Sequence, residues 1–211
     1  MSEGIGTQRI DGFLASLASD SPTPGGGAVA ALAGASGTAL ISMVCNLTIG
    51  KEAYAEVDER VRGILAEADA ARPVFLELAD RDATAFDGVM AAFKMPKETD
   101  AEKATRSEAI QRGYEAAAEV PLDVARRAGA LMELAREVTE AGNAHAASDG
   151  ASAAQSLSAA VWCATYNVEI NASSLKDQTR AQALRDEVSA LRAQSAALLD
   201  ATNAAFGERL G

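Results

Sequence analysis

The sequence predicts an all-α protein, a helical bundle of about seven helices with two nearly wholly apolar, buried members. Three observations carry that expectation. Alanine, the strongest helix former, is abundant, while aromatics make up only 4% of the chain and prolines number five in 211 residues. Apolar residues recur at helical spacing along most of the chain. No stretch alternates as a strand would, and no internal repeat or dividing linker appears, so residues 1–211 read as one domain.

The elements follow in order. Ile10, Phe13, Leu14 and Leu17 form an i, i+3, i+4, i+7 stripe, which predicts a first helix from about Thr7 to Ala18. Ser19 to Gly27 is a dense turn signal. The second helix, about Gly26 to Thr48, is apolar almost all round and has nearly the length of a membrane span. Its glycines and the polar Ser36, Thr38, Ser42 and Asn46 argue for burial in protein on every side instead. Ala30, Gly34, Thr38 and Ser42 fall four apart and make a small-residue ridge for close approach by another helix, or by its own copy in a dimer. A third helix, about Glu52 to Phe93, contains Pro73, which predicts a kink or break near Ala71. Lys94 to Thr99 is a loop, and Thr99 with Glu102 has capping-box spacing for a fourth helix. Pro121 is expected to bend or divide the stretch that continues to about Glu140, and Gly142 suits its C-cap. Ser148 or Asp149 can cap the next helix, Ala/Ser-rich and buried, which ends near Asn171. A last amphipathic helix covers about Asp177 to Phe206.

Composition excludes several classes. The net charge is -11 and there is no Lys/Arg run, so nothing supplies the basic face that a nucleic-acid binder needs. Two cysteines, no CxxC and one histidine exclude a Cys/His zinc site. No ExxH pair points to a di-metal bundle. Met1 to Arg9 lacks a basic region followed by an apolar core, so no secretory signal is expected and the cytoplasm is.

Asp82 is the most informative residue. Phe75, Leu78, Asp82, Phe86, Val89 and Phe93 lie along one side of the third helix, and five of the six are large and apolar. A carboxylate there is costly unless paired or hydrogen-bonded. Two readings stand: a structural salt bridge to a neighbouring helix, or an acid/base group whose proton affinity is raised by apolar surroundings. Asp80 projects roughly 200° away round the helix and cannot pair with it. Pro24-Gly25-Gly26-Gly27 leads into a helix N-terminus, where a backbone can approach a ligand closely, or simply turn. It lacks the spacings of a Walker loop or a dinucleotide fingerprint. Asn143, Ser148 and Asp149 sit in a short connection, as caps or as pocket residues. His145 lies among them with no Ser or Cys nucleophile motif beside it. Asn167 and Asn171 share a helix face, and can anchor a heteroaromatic ligand or bond across helices.

These pieces stand in one recognisable order: Pro22-Thr23-Pro24-Gly25-Gly26-Gly27, Ser42 to Lys51, Asp82-xxx-Phe86, Met95-Pro96-Lys97-Glu98-Thr99, Val120-Pro121-Leu122, Gly142-Asn143, Ser148-Asp149 and Asn167-xxx-Asn171. From about Ile10 to Phe206 the chain resembles the cyclodeaminase/cyclohydrolase family, which includes the cyclodeaminase domain of formiminotransferase-cyclodeaminase and stand-alone methenyltetrahydrofolate cyclohydrolases. The resemblance implies a homodimer with folate near the subunit interface and no cofactor or metal beyond the tetrahydrofolate substrate. It implies that Asp82 does the acid/base work. Gly25, Gly26, Gly27, Lys97, Asn143, Ser148 and Asp149 match pocket motifs, as Lys51 and Tyr54 do more loosely. No formiminotransferase half is expected, and Cys45 to Lys51 looks more like the stand-alone enzymes, which favours hydrolysis of 5,10-methenyltetrahydrofolate over cyclodeamination. A helical folate-binding or scaffold protein without turnover is the reading from another class.

Overall fold

The structure is a computed structural model that describes residues 4–210; the first three residues of the N-terminal stretch, and residue 211, lie outside the described residues. Within that span the chain is helical and has no strand. Six α-helices follow one another: α1 Ile10–Leu17, α2 Gly26–Thr48, α3 Asp58–Phe93, α4 Asp100–Ala141, α5 Ala147–Ala172 and α6 Gln178–Leu210. Short 3-10 turns cover Ile5–Thr7, Glu52–Val57 and Ala144–Ala146.

Six rather than seven helices arise because neither proline breaks its helix. Pro73 lies inside α3 and Pro121 inside α4. A proline in a helix interior costs about 3 kcal/mol relative to alanine. Buried Phe75, Leu78 and Ala79 follow Pro73, and Val120, Pro121, Leu122 and Val124 are all buried. Burial of each such large apolar side chain contributes about 1.5–3 kcal/mol, which outweighs the proline cost at both places.

α2 packs between α3 and α5, with α4 behind it, and α6 closes the far side over α4 and α5. Ile41, Val44, Phe75, Leu78, Met132 and Leu157 form the centre of the main core. The small-residue ridge of α2 does its work inside the protomer: Ala30, Gly34, Thr38 and Ser42 are all buried. The Phe75 ring of α3 lies so close that a Cβ at Gly34 would stand 2.6 Å from it. α2 and α5 run antiparallel, since Gly26 meets Asn167 while Gly37 meets Leu157.

Burial on every side does not hold for α2. Ser36, Ala39, Met43 and Leu47 are exposed, with half-buried Val29, Ala33 and Leu40 on the same stripe. By length and composition alone, α2 is long and apolar enough to cross a membrane. α1 also departs from expectation, for Ile10 and Leu14 are exposed and only Phe13 of that helix is buried.

The caps divide likewise. Thr99 and Glu102 form the reciprocal capping box at the start of α4, and Gly142 is the α4 C-cap. α5 begins one residue before Ser148, with Ala146 as N-cap and no side-chain cap. Asn143 instead caps the preceding 3-10 turn, accepting from the His145 amide.

Candidate active site

α3 carries Asp82 to the N-terminus of α2, and the two elements explain each other. The first turn of a helix leaves amide N–H groups without intrahelical partners. Gly25, the N-cap of α2, has no side chain to satisfy them. The Asp82 carboxylate accepts from the Ala28 amide in that turn. It packs onto Gly27 so tightly that any Cβ there would collide with the carboxylate. The glycine turn is therefore the space that admits Asp82.

Asp82 has no salt bridge among the described residues, which removes the paired-charge reading of its burial. Burial raises its proton affinity above the ordinary carboxylate value, and the Ala28 amide opposes that rise without cancelling it. Asp80 belongs elsewhere, as its angular position requires. It accepts a 2.7 Å hydrogen bond from the Ile5 amide and lines a separate cavity with Thr84 and Asp87.

Asp82 opens into a cavity of about 330 Å³ bounded by the Pro22–Thr23 turn, Gly25, Gly26, Phe86, Tyr114, Ala117, Asn167, Ile170, Asn171 and Ser174. Phe86 and Tyr114 give it aromatic walls. Tyr114 packs edge-on against Phe93, with centroids 6.2 Å apart, and Arg106 lies over Phe93 while donating to its carbonyl oxygen. The polar groups facing the cavity are rich in acceptors. Asn167 donates its amide to the Cys163 carbonyl at 2.8 Å, and Asn171 donates to the carbonyls of Ala117 and Asn167, both at 2.9 Å. Among the described residues their side-chain oxygens hold no hydrogen bond. A carboxylate, two amide oxygens and aromatic faces together suit a planar ligand with a positive charge and N–H donors.

The site residues expected from sequence fall into two groups. Gly25, Gly26, Gly27 and Asp82 meet at the N-terminal end of α2. Lys51, Tyr54, Asn143, Ser148 and Asp149 cluster beyond its C-terminal end. Asn143 donates its amide to the Leu47 carbonyl at 2.9 Å and its backbone N–H to Thr48 Oγ1 at 2.8 Å, while the Tyr54 hydroxyl accepts from the Ala144 amide at 2.9 Å. Ser148 lines a hollow between α5 and α6 with Ser152, Gln155, Asn203 and Phe206. Lys51 is exposed just before the Glu52–Val57 turn, and Asp149 stands in the first turn of α5. The 23 residues of α2 separate the groups by about 33 Å, at 1.5 Å per residue. Lys97 belongs to neither group; it is exposed in the α3–α4 loop. Sequence reasoning missed Tyr114 and Ile170. Tyr114 has only charged or small neighbours in α4, and Ile170 sits on a helix face read as core, so neither carried a signal.

Comparison with known proteins agrees over nearly the whole chain. A family model described as Formiminotransferase-cyclodeaminase matches residues 9–190. The chain is 42% identical over 193 residues to a methenyltetrahydrofolate cyclohydrolase of Methylorubrum extorquens, covering 92% of this chain and 93% of that protein. It is 34% identical over 192 residues to a formimidoyltransferase-cyclodeaminase of Sus scrofa, covering 89% of this chain but 36% of that longer protein. The crystal structure of a formiminotetrahydrofolate cyclodeaminase from Thermotoga maritima superposes with a TM-score of 0.87 at 29% identity, covering 98% of this chain and 100% of that one.

Proposed function

We propose a function from one premise: this chain belongs to the formiminotransferase-cyclodeaminase family. It is an enzyme of one-carbon metabolism that hydrolyses 5,10-methenyltetrahydrofolate to 10-formyltetrahydrofolate, with residues 1–211 acting as one domain. The observation that carries this reading is Asp82, an unpaired, half-buried carboxylate at the mouth of an acceptor-lined cavity. The 42% identical relative, matched nearly end to end, bears the cyclohydrolase name.

The substrate's bridging carbon lies in a cationic N–CH–N amidinium. That cation supplies the charge Asp82 lacks, and its approach favours the ionised carboxylate. Asp82 then takes a proton from water as the oxygen adds to the bridging carbon. The tetrahedral adduct collapses as its hydroxyl proton leaves to solvent. Asp82 returns its proton to N5, the C–N5 bond breaks, and the formyl group stays on N10. The chain's own contribution is a carboxylate already raised in basicity by burial, held in place by the Ala28 amide. No cofactor beyond the tetrahydrofolate substrate is required.

The Thermotoga neighbour favours a second reading, a formiminotetrahydrofolate cyclodeaminase. There N10 attacks the formimino carbon and ammonia leaves with a proton from Asp82. Supplying each folate separately to purified protein decides between them. Loss of the methenyl chromophore supports hydrolysis; ammonia release from formiminotetrahydrofolate without methenyl hydrolysis makes the protein a deaminase. Folate binding without either reaction makes it a binding protein.

The active form is a homodimer. The exposed stripe of α2 is small and apolar, and Ala159 of adjoining α5 is exposed as well. A two-fold axis across the middle of α2 would bring the Asn143 end of one copy beside the Asp82 cavity of the other. That arrangement reunites the two groups of pocket residues around one folate, with Lys51, Tyr54, Ser148 and Asp149 contributed across the interface. α2 is then a packed helix rather than a membrane span, and the enzyme acts in the cytoplasm.

A further inference from the structure

We infer that Asn171, assisted by Asn167, is the specificity residue that reads the N–H donor edge of the folate ring, its 2-amino group and N3–H. The inference rests on the folate reading above and names the part of the substrate that this wall of the cavity recognises.

The orientation of the Asn171 amide is forced. One end of it lies 2.9 Å from two carbonyl oxygens, those of Ala117 on α4 and Asn167 on its own helix. An oxygen there would face two other oxygens, so that end is the NH2 group, and both of its hydrogens are committed. The other end is therefore a fixed acceptor. Asn167 is held by a single bond of this kind, its NH2 donating to the Cys163 carbonyl at 2.8 Å. One helical turn separates the two residues, and both line the Asp82 cavity from the same face of α5. The Asn171 oxygen, with both hydrogens of its amide committed, and the Asn167 oxygen, held by one such bond, present acceptors to the ligand. They select a planar group with adjacent N–H donors, and the 2-amino-4-oxo ring presents such an edge. Phe86 and Tyr114 supply the aromatic faces that such a ring stacks on. Asp82 remains for the amidinium.

The test compares methenyltetrahydrofolate with its 2-desamino-2-methyl analogue, using wild type and Asn171→Ala, with binding of both compounds measured alongside turnover. Wild type should prefer the natural compound by about 10- to 100-fold in kcat/KM, since the analogue leaves an acceptor unpaired. Asn171→Ala should raise KM for the natural substrate at least 10-fold, leave kcat within a few-fold, and bring the preference close to one. Asn167→Ala, which gives up only a hydrogen bond within α5, should reduce the preference in part, and it decides the matter if Asn171→Ala does not fold. A preference unchanged in the variants, or a fall in kcat at constant KM, overturns the inference. If wild type binds with the preference yet converts neither compound, the hydrolase reading fails and this one stands. Absence of binding to both defeats the two together.

Discussion

At the scale of single residues, Asp82 and Gly27 are one feature. Apolar packing raises the proton affinity of the carboxylate, and the Ala28 amide keeps it aimed. Asp82→Asn should lower kcat/KM by at least about 10²- to 10⁴-fold, the range for loss of a positioned acid/base group. In the wild type, the acid limb of the pH–rate profile should fall above the usual carboxylate range. The folded chain holds this proton more tightly than the unfolded chain does. Stability therefore declines as pH rises from the unfolded to the folded pKa, and the penalty is full above both. Asp82→Asn removes it, so the variant should melt at or above the wild-type temperature near neutral pH. The gain should shrink as pH drops through that window; melting curves across pH measure it. A carboxylate in the wrong place was visible from the 75–78–82–86 spacing alone. Its hydrogen-bond partner was not, because Ala28 lies 54 residues away and contributes a backbone group that every sequence contains.

At the scale of elements, packing overrides local preference. Phe75 fills the notch that Gly34 leaves in α2 and is fully buried. Phe75→Ala should cost about 3–5 kcal/mol in denaturant melts, as a large aromatic leaving a core does. The start of α4 depends on local chemistry instead. Thr99 accepts from the Glu102 amide at 3.2 Å, and the Glu102 carboxylate accepts from the Thr99 amide at 2.9 Å. Thr99→Ala should cost about 1 kcal/mol by the same measurement. These two cases show what was legible. The capping box is a local rule and could be read directly. The helices were legible from their apolar periodicity. The fate of Pro73 and Pro121 was not, because it depends on how much core their helices bury on either side. Ser148 and Asp149 were misplaced as caps because Asn143 had already capped the Ala144–Ala146 turn, and α5 grows straight out of it.

For the whole molecule, the separation of the candidate site residues matters most. Asp82 and the glycine turn lie at one end of α2, Asn143 and Tyr54 at the other, and an apolar stripe runs exposed between them. Ser36→Arg, in the middle of that stripe, should convert the proposed dimer to monomers in sedimentation experiments. Turnover should fall with it, although Ser36 is remote from Asp82 in its own chain. The sequence offered Asp82, the glycine turn and the Asn143 group as candidates, yet could not divide them between the two ends of α2, because that division depends on the antiparallel packing of α2 and α5. Whether the acceptor-lined cavity performs the proposed chemistry is tested most directly by following the methenyl chromophore of 5,10-methenyltetrahydrofolate with wild-type protein and with Asp82→Asn. Rapid loss of the chromophore with wild type, and background loss with a folded, dimeric Asp82→Asn, is the expected result. Turnover by Asp82→Asn close to that of wild type would contradict it.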